Sequence, residues 1–377
     1  MGLRLKEKRY FLSVTSLALL SIFFLFFSII YAYEVASSLN NSAIGNKTKT
    51  ETETTLQKKP VLFGQVLNDS IYQVGADHEN TPVFNSSDHL NNFDRNDDDL
   101  IRILFGGDLM FDRYIRQVAQ QKGNKFIFGD LGVEFKKADL AVVNLEGPIT
   151  EKASLSLGSR MGEPSNFIFT FDPSIVHELR DKKITLVNIG NNHILNFGKE
   201  GLNSTKYHLK QGKINYFGLT GAKDDEDPSY FIKKFKDFKV GFVNYNSFAK
   251  DGLKKAESDI VLIRDRVDFL ILYTHWDREY KLKSSQASRE KAHKFIDLGV
   301  DLIIGSHPHV IQELEIYKGK RIYYSLGNLI FDQYFSRDTM EGMLVEVIIN
   351  KGNKKTGFKE TRIKMNPNGQ TKLISQD

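Results

Sequence analysis

Cysteine is absent from all 377 residues. With no thiol there can be no disulfide framework and no thiolate metal site, so any metal must rest on nitrogen and oxygen ligands, a set that suits zinc, manganese or iron. Concentrated positive charge is almost as scarce. The net charge is +5, and Arg4, Lys6, Lys8 and Arg9, opposed only by Glu7, carry most of it within the first ten residues. No basic patch interleaved with aromatics remains, which argues against a nucleic-acid partner. A Gly-x-x-x-x-Gly-Lys-Ser/Thr loop is also missing, so the chain cannot itself drive an ATP-dependent polymerisation. Nor is there an internal repeat at a fixed period.

What is present begins with a long apolar run. Residues 11–33 carry no charge and are dense in leucine, isoleucine and phenylalanine, about the length a helix needs to cross the hydrocarbon core. A cleaved signal peptide would have a shorter apolar region, and no clear small-x-small site follows Ser28. The basic residues precede the run and none lies between 34 and 46, which puts the N-terminus in the cytoplasm and the bulk of the protein outside. The expected layout is a cytoplasmic segment (1–10), a transmembrane anchor (11–33), a polar, largely flexible linker (34–99), a main domain (100–350), and a C-terminal strand and tail (351–377). Within the linker only 61–67 is apolar enough to add a strand.

From residue 100 short apolar runs alternate with helical periodicity. Strands are predicted at 101–105, 140–143, 184–189, 214–218, 240–245, 269–273 and 301–304, with helices near 113–121, 174–181, 201–211 and 285–298. Such alternation argues for a layered α/β domain. Beyond His309 the pattern turns strand-rich, at 311–316, 321–324, 343–349 and 361–364, with Lys318-Gly319-Lys320 as a hairpin turn.

The polar residues that matter fall at the C-terminal ends of the predicted strands, where open α/β sheets hold ligands. Successive strands run into Gly106-Gly107-Asp108, Asn144-Leu145-Glu146-Gly147, Asn191-Asn192-His193, Thr274-His275-Trp276 and Gly305-Ser306-His307-Pro308-His309. In the last, Gly305 is expected to let the chain turn sharply and Pro308 to stiffen it, so that both rings enter one cavity. Taken singly, each residue has a plainer structural role, as a helix cap, a turn or a packed core histidine. Together they have the composition of a dinuclear metal centre, which needs carboxylates, imidazoles and an amide oxygen around open positions. Asp108 and Glu146 can supply the carboxylates, His275, His307 and His309 neutral nitrogens, and Asn192 a carbonyl oxygen. His193 is then free for general-acid work, or is simply a helix-start histidine bonded to backbone. Arg113 either faces carboxylate or phosphate at the rim or makes a surface salt bridge.

These motifs resemble the CapA (PgsA) poly-γ-glutamate synthesis family, whose domain belongs with the calcineurin-like metallophosphoesterases. The carriers are Gly107-Asp108-Leu109-Met110 with Arg113, Asn144-Leu145-Glu146-Gly147-Pro148-Ile149-Thr150, Asn191-Asn192-His193, His275-Trp276, Gly305 to Val310, and Ser325-Leu326-Gly327-Asn328-Leu329-Ile330-Phe331-Asp332. The resemblance implies a four-layer α/β/β/α sandwich holding one or two divalent transition-metal ions. It also implies an anionic polymer of the poly-γ-glutamate type as ligand, and a cytosolic amide ligase and a multi-spanning membrane protein as partners. Asn144 and Asn328 are the expected substrate contacts. Three departures stand out. Met110 replaces the imidazole of the superfamily's Asp-x-His, Asp277 replaces the family's glycine after His-Trp, where it can add a carboxylate to the rim, and Asn196 replaces an expected aspartate.

Overall fold

The computed structural model describes residues 99–374 apart from 219 and 222–228. The predicted anchor and nearly all of the linker lie outside the described residues, among which no helix is long and apolar enough to cross a membrane. The chain opens with β1 (Leu100–Leu109), α1 (Arg113–Lys122), α2 (Asn124–Phe128), α3 (Leu131–Lys137), β2 (Leu140–Leu145), α4 (Ile175–Asp181), β3 (Ile184–Asn188), α5 (Gly198–Gln211) and β4 (Asn215–Phe217). It continues with β5 (Tyr230–Phe235), β6 (Phe238–Asn246), α6 (Gly252–Arg264), β7 (Phe269–His275), α7 (Gln286–Asp297) and β8 (Leu302–Ser306). The last part is mostly strand, with β9 (Leu314–Tyr317), β10 (Lys320–Tyr323), β11 (Asn328–Ile330), a 3-10 turn at Asp338–Met340, β12 (Glu341–Asn350), β13 (Thr356–Met365) and β14 (Thr371–Leu373).

Two sheets result, one ordered β14-β13-β12-β1-β2-β3-β4 with β11 also paired to β1, the other β5-β6-β7-β8-β10-β9. Side-chain alternation makes them stack. Ile101, Ile103, Phe105, Leu140 and Val142 meet Val240, Phe242, Ile271, Tyr273 and Ile304 in a central core. The opposite faces of β1 and β2 (Leu104, Ala141, Val143) pack with Ile115, Leu131, Leu179 and Leu202 from the helices of the first half. Leu270 and Leu272 likewise turn outward onto Ile260 and Phe295. The order is therefore helix, sheet, sheet, helix, the layering expected, and strands covered on both faces read as continuous apolar runs for that reason.

Three expectations change. The boundary at 350 falls inside a hairpin, because β13 pairs along β12 from Ile349↔Thr356 onward and β14 pairs with β13; these strands belong to the sheet. The predicted strand at 311–316 shortens to β9, joined to β10 through the two-residue turn Lys318-Gly319, both with positive φ. Gly305 is not the turning point. It lies within β8, where an added Cβ would sit 1.9 Å from the Tyr324 carbonyl oxygen, so glycine serves close approach there and the bend comes after it. Gly305→Ala is accordingly expected to cost about 3 kcal/mol, read as a drop in the denaturant midpoint at unchanged m-value. A variant of wild-type stability would contradict the tight contact.

Candidate metal centre

Both sheets send the C-terminal ends of their parallel strands to one rim. On the first, β1 runs parallel to β2, with Asp108 beside Asn144, and to β11, with Asp108 beside Asn328. On the second, β7 and β8 pair His275 with Ser306. Beyond Ser306 the chain enters left-handed backbone twice, at His307 (φ 95°) and His309 (φ 57°), on either side of Pro308. Side-chain-bearing residues adopt that conformation at a cost of about 1–3 kcal/mol each, so the surroundings must hold it. The His307 N–H donates to Asp108 Oδ2 at 3.1 Å, and His309 Nδ1 lies 3.0 Å from Asn328 Oδ1.

The result is two overlapping ligand groups. Glu146, His307 and His309 bring one atom each within 4.8 Å of one another, and so do Asp108, Glu146 and His275. Glu146 belongs to both. All of these side chains are buried, yet neither Glu146 oxygen nor His307 Nδ1 has a hydrogen-bond partner. Orphaned buried polar atoms are costly, and a cation between them removes the cost.

Hydrogen bonding fixes which nitrogen of His309 is free. Asn328 donates its amide to Gln333 Oε1 and the Thr339 carbonyl, each at 3.0 Å, so its oxygen accepts from His309 Nδ1. His309 Nε2 then presents its lone pair 3.5 Å from Glu146 Oε1. At His275 the nearer partner of Nδ1 is Ser306 Oγ at 3.0 Å, and that hydroxyl donates to the Thr274 carbonyl at 2.8 Å, so it accepts from the ring. The Asn144 amide also lies 3.3 Å from Nδ1, and Nε2 faces Asn192 Oδ1 at 2.8 Å, within hydrogen-bond distance. A nitrogen and an oxygen so placed fit ligation of one ion.

Electrostatics points the same way. Burial lowers His275 well below 6.5, and burial together with the charge of His309 takes His307 down to about 3. Both rings are neutral near pH 7 and able to ligate. Burial, then the charge of Asp108, raises Glu146 well above 4.5. Asp108 goes the other way: burial opposes ionisation, but the hydrogen bond and charge of His309, with the Asn144 amide and the His307 N–H, hold it below 3.8.

Asn192 Oδ1 lies beside His275 Nε2, whereas the hydrogen-bonding groups of Asn144 and Asn328 are taken up within the protein. Both are fully buried. Asn144 Nδ2 donates to Asp108 Oδ1 at 2.8 Å while its oxygen accepts from Asn188 and Asn191 at 2.9 and 3.2 Å, so it orients a ligand, as Asn328 orients His309. Asp277 Oδ2 accepts the Ser285 N–H at 2.7 Å, which ties that carboxylate to the start of α7. Met110 is buried in the outer core and leaves the first strand one ligand short.

His193 stands apart from both ligand groups, with Nε2 3.9 Å from Glu146 Oε1. Asn196 Oδ1 accepts the Phe169 N–H at 2.8 Å and so also accepts from His193 Nδ1 at 3.1 Å, holding the tautomer that an aspartate would hold. Burial lowers His193 to about 4. Arg113 lines the adjoining cleft, ion-paired to Asp332 and donating to Asn166 Oδ1 at 3.1 Å. Sequence reasoning missed Asp332 as this partner and Ser306 as the support of His275; Asp332 lies at the end of a quoted motif, and Ser306 sits next to His307.

The sequence profile described as "Bacterial capsule synthesis protein PGA_cap" matches residues 102–333. The chain belongs to this family. Every candidate ligand and both supporting asparagines lie within the PGA_cap match. "PGA biosynthesis protein CapA" of Bacillus subtilis (strain 168) is 27% identical over 268 residues, 67% of this chain and 69% of that protein. "Capsule biosynthesis protein CapA" of Bacillus anthracis is 25% identical over 260 residues, 64% of this chain and 62% of that protein. Among solved structures, the NAD nucleotidase NadN of Haemophilus influenzae aligns over 74% of this chain and 54% of its own at 11% identity and a TM-score of 0.41, too loose a likeness to add to the layering seen directly.

Proposed function

We propose that this PGA_cap protein is a membrane-anchored, outward-facing component of machinery that makes or exports a poly-γ-glutamate-type capsule polymer, and that its rim is a metal-dependent hydrolytic centre. The observation that carries the second part is Glu146, a fully buried carboxylate with two unpartnered oxygens, shared by two ligand groups. The names of the Bacillus relatives support the first part, as do the apolar run at 11–33 and the basic residues before it. A cytosolic amide ligase and a multi-spanning membrane protein are the partners such a role requires.

Asp108, Glu146, Asn192, His275, His307 and His309 would hold one or two ions of manganese, zinc or iron. Such ions supply Lewis-acid chemistry and activate water. The remaining steps fall to the chain. His193, neutral and fixed by Asn196, holds its free nitrogen toward the centre, placed to move a proton to or from a leaving group. Arg113, locked by Asp332, shapes the entrance.

Elemental analysis of the full chain should find about two equivalents of transition metal. Hydrolysis of a generic phosphodiester should require that metal and fall at least about 100-fold in His309→Ala. In a host lacking the gene, wild type should restore capsule and His309→Ala should not. Restoration by the variant would sink the hydrolytic reading, and a host that makes normal capsule without the gene would sink the capsule role.

A further inference from the structure

His309, at the edge of the ligand cluster, lines a cleft of about 530 Å³, and that cleft is poorly suited to a polyanion. Its charged lining residues are Arg113, Asp332 and Glu279. The guanidinium is already neutralised by Asp332 and lies over the rings of Phe169 and Phe331, 5.2 and 5.3 Å from their centroids. What remains is Glu279, a negative charge. A run of γ-glutamyl units would bring a carboxylate on every residue into a space with no unpaired cationic side chain among the described lining residues.

The same walls are unusually apolar. Phe169 packs on His193 at 4.4 Å between ring centroids and Phe331 on His309 at 4.8 Å, so aromatic surface begins at the imidazoles. Tyr280 and Phe335 meet edge to face at 5.2 Å. Tyr280, Phe335, Phe167 and Met161 all line the cleft yet are 42, 52, 45 and 77% exposed. Large apolar side chains gathered in the open mark a binding surface. Tyr280 is also held in left-handed backbone (φ 61°), its N–H donating to the Pro308 carbonyl at 2.8 Å and its hydroxyl accepting from Gln333 Nε2 at 3.1 Å. A bulky residue in that conformation is a strained one, and strain of this kind collects at ligand clamps.

We infer that the site takes an amphiphile: a single anionic phosphate or carboxylate group at the ligand cluster, and an uncharged apolar body against Phe169, Phe331, Tyr280 and Phe335. This rests on the cation-centre reading above but not on the capsule role. The interior of an anionic polymer is excluded as the occupant of the cleft.

The test uses the full chain in neutral-lipid nanodiscs loaded with manganese, the uptake being measured first. Methylphosphonate, phenylphosphonate, hexylphosphonate and a γ-glutamyl trimer are then compared by calorimetry. The two phosphonates with apolar bodies should bind about 30-fold more tightly than methylphosphonate, and Tyr280→Ala and Phe335→Ala should each shrink that ratio several-fold. Hexyl over phenyl would indicate a lipid-like body, phenyl over hexyl an aromatic one. Equal binding of all three phosphonates, no binding of any, or tighter binding of the trimer overturns the amphiphile while leaving the cation centre standing. Failure to take up manganese brings down both.

Discussion

Glu146→Gln yields a protein that is more stable without metal and no longer responds to it. The wild-type carboxylate is fully buried with both oxygens unpartnered, and an unsatisfied buried acceptor costs about 1–3 kcal/mol, more when charged. Glutamine keeps the shape and removes the charge. A gain of about 2 kcal/mol in the metal-free protein is expected, seen as a rise of roughly 4–8 °C in Tm for a domain of this size. The gain depends on pH. Burial and Asp108 raise the carboxyl of Glu146 well above 4.5, so the native state keeps a proton that the unfolded chain has lost. Wild-type stability therefore falls as pH rises from 4.5 through the raised native value, and the advantage of glutamine widens over that window. Added manganese or zinc should lift Tm of the wild type and leave the variant unmoved. A variant less stable than wild type without metal, or one that keeps the metal-induced rise, would refute the role assigned to this carboxylate.

Asp112→Ala should be the most destabilising change at the mouth of the site. The side chain is fully buried and caps α1, accepting the Arg113 N–H at 3.0 Å. It also accepts from Arg116 Nε at 3.0 Å, Ser154 Oγ at 2.6 Å and the Thr170 N–H at 2.7 Å. Removing it takes the carboxylate from the buried Arg116, which keeps the Thr170 carbonyl and a 3.9 Å approach to Asp172, and strands the Thr170 N–H, which together cost about 3 kcal/mol. The cap holds the start of the helix that carries Arg113, so the cleft should loosen as well. Chemical denaturation measures the first effect. A faster exchange of the Arg113 and Tyr114 amides, measured by mass spectrometry, reports the second. Asp112→Asn keeps the shape and some of the acceptors and should fall between alanine and wild type; an alanine variant within 1 kcal/mol of wild type would show that the network is dispensable.

The strands were legible in the sequence because both sheets are covered on both faces, which writes β2, β7 and β8 as unbroken apolar runs. Elements without that signature were not. β11 is three residues long, and β1 defines it through Asp108↔Asn328, a tertiary pairing that no local window reports. α6 buries Ala256, Ile260 and Ile263, a helical spacing the sequence did carry but which its lysines obscured. At the site, strand-end position revealed the metal-binding candidates. For the amides, chemistry alone does not distinguish an asparagine that meets substrate from one that aims a neighbouring side chain. That difference lies in where the second hydrogen-bonding group of Asn144 or Asn328 goes, which only the folded chain determines.

One carboxylate, Glu146, is common to both ligand groups. Filling cannot be independent: the ion that arrives first takes up the negative charge of Glu146 and leaves less for its successor, so the two compartments should load in sequence, with separable affinities. At limiting supply the protein would exist largely in a half-filled form, and its competence would then track the abundance of metal.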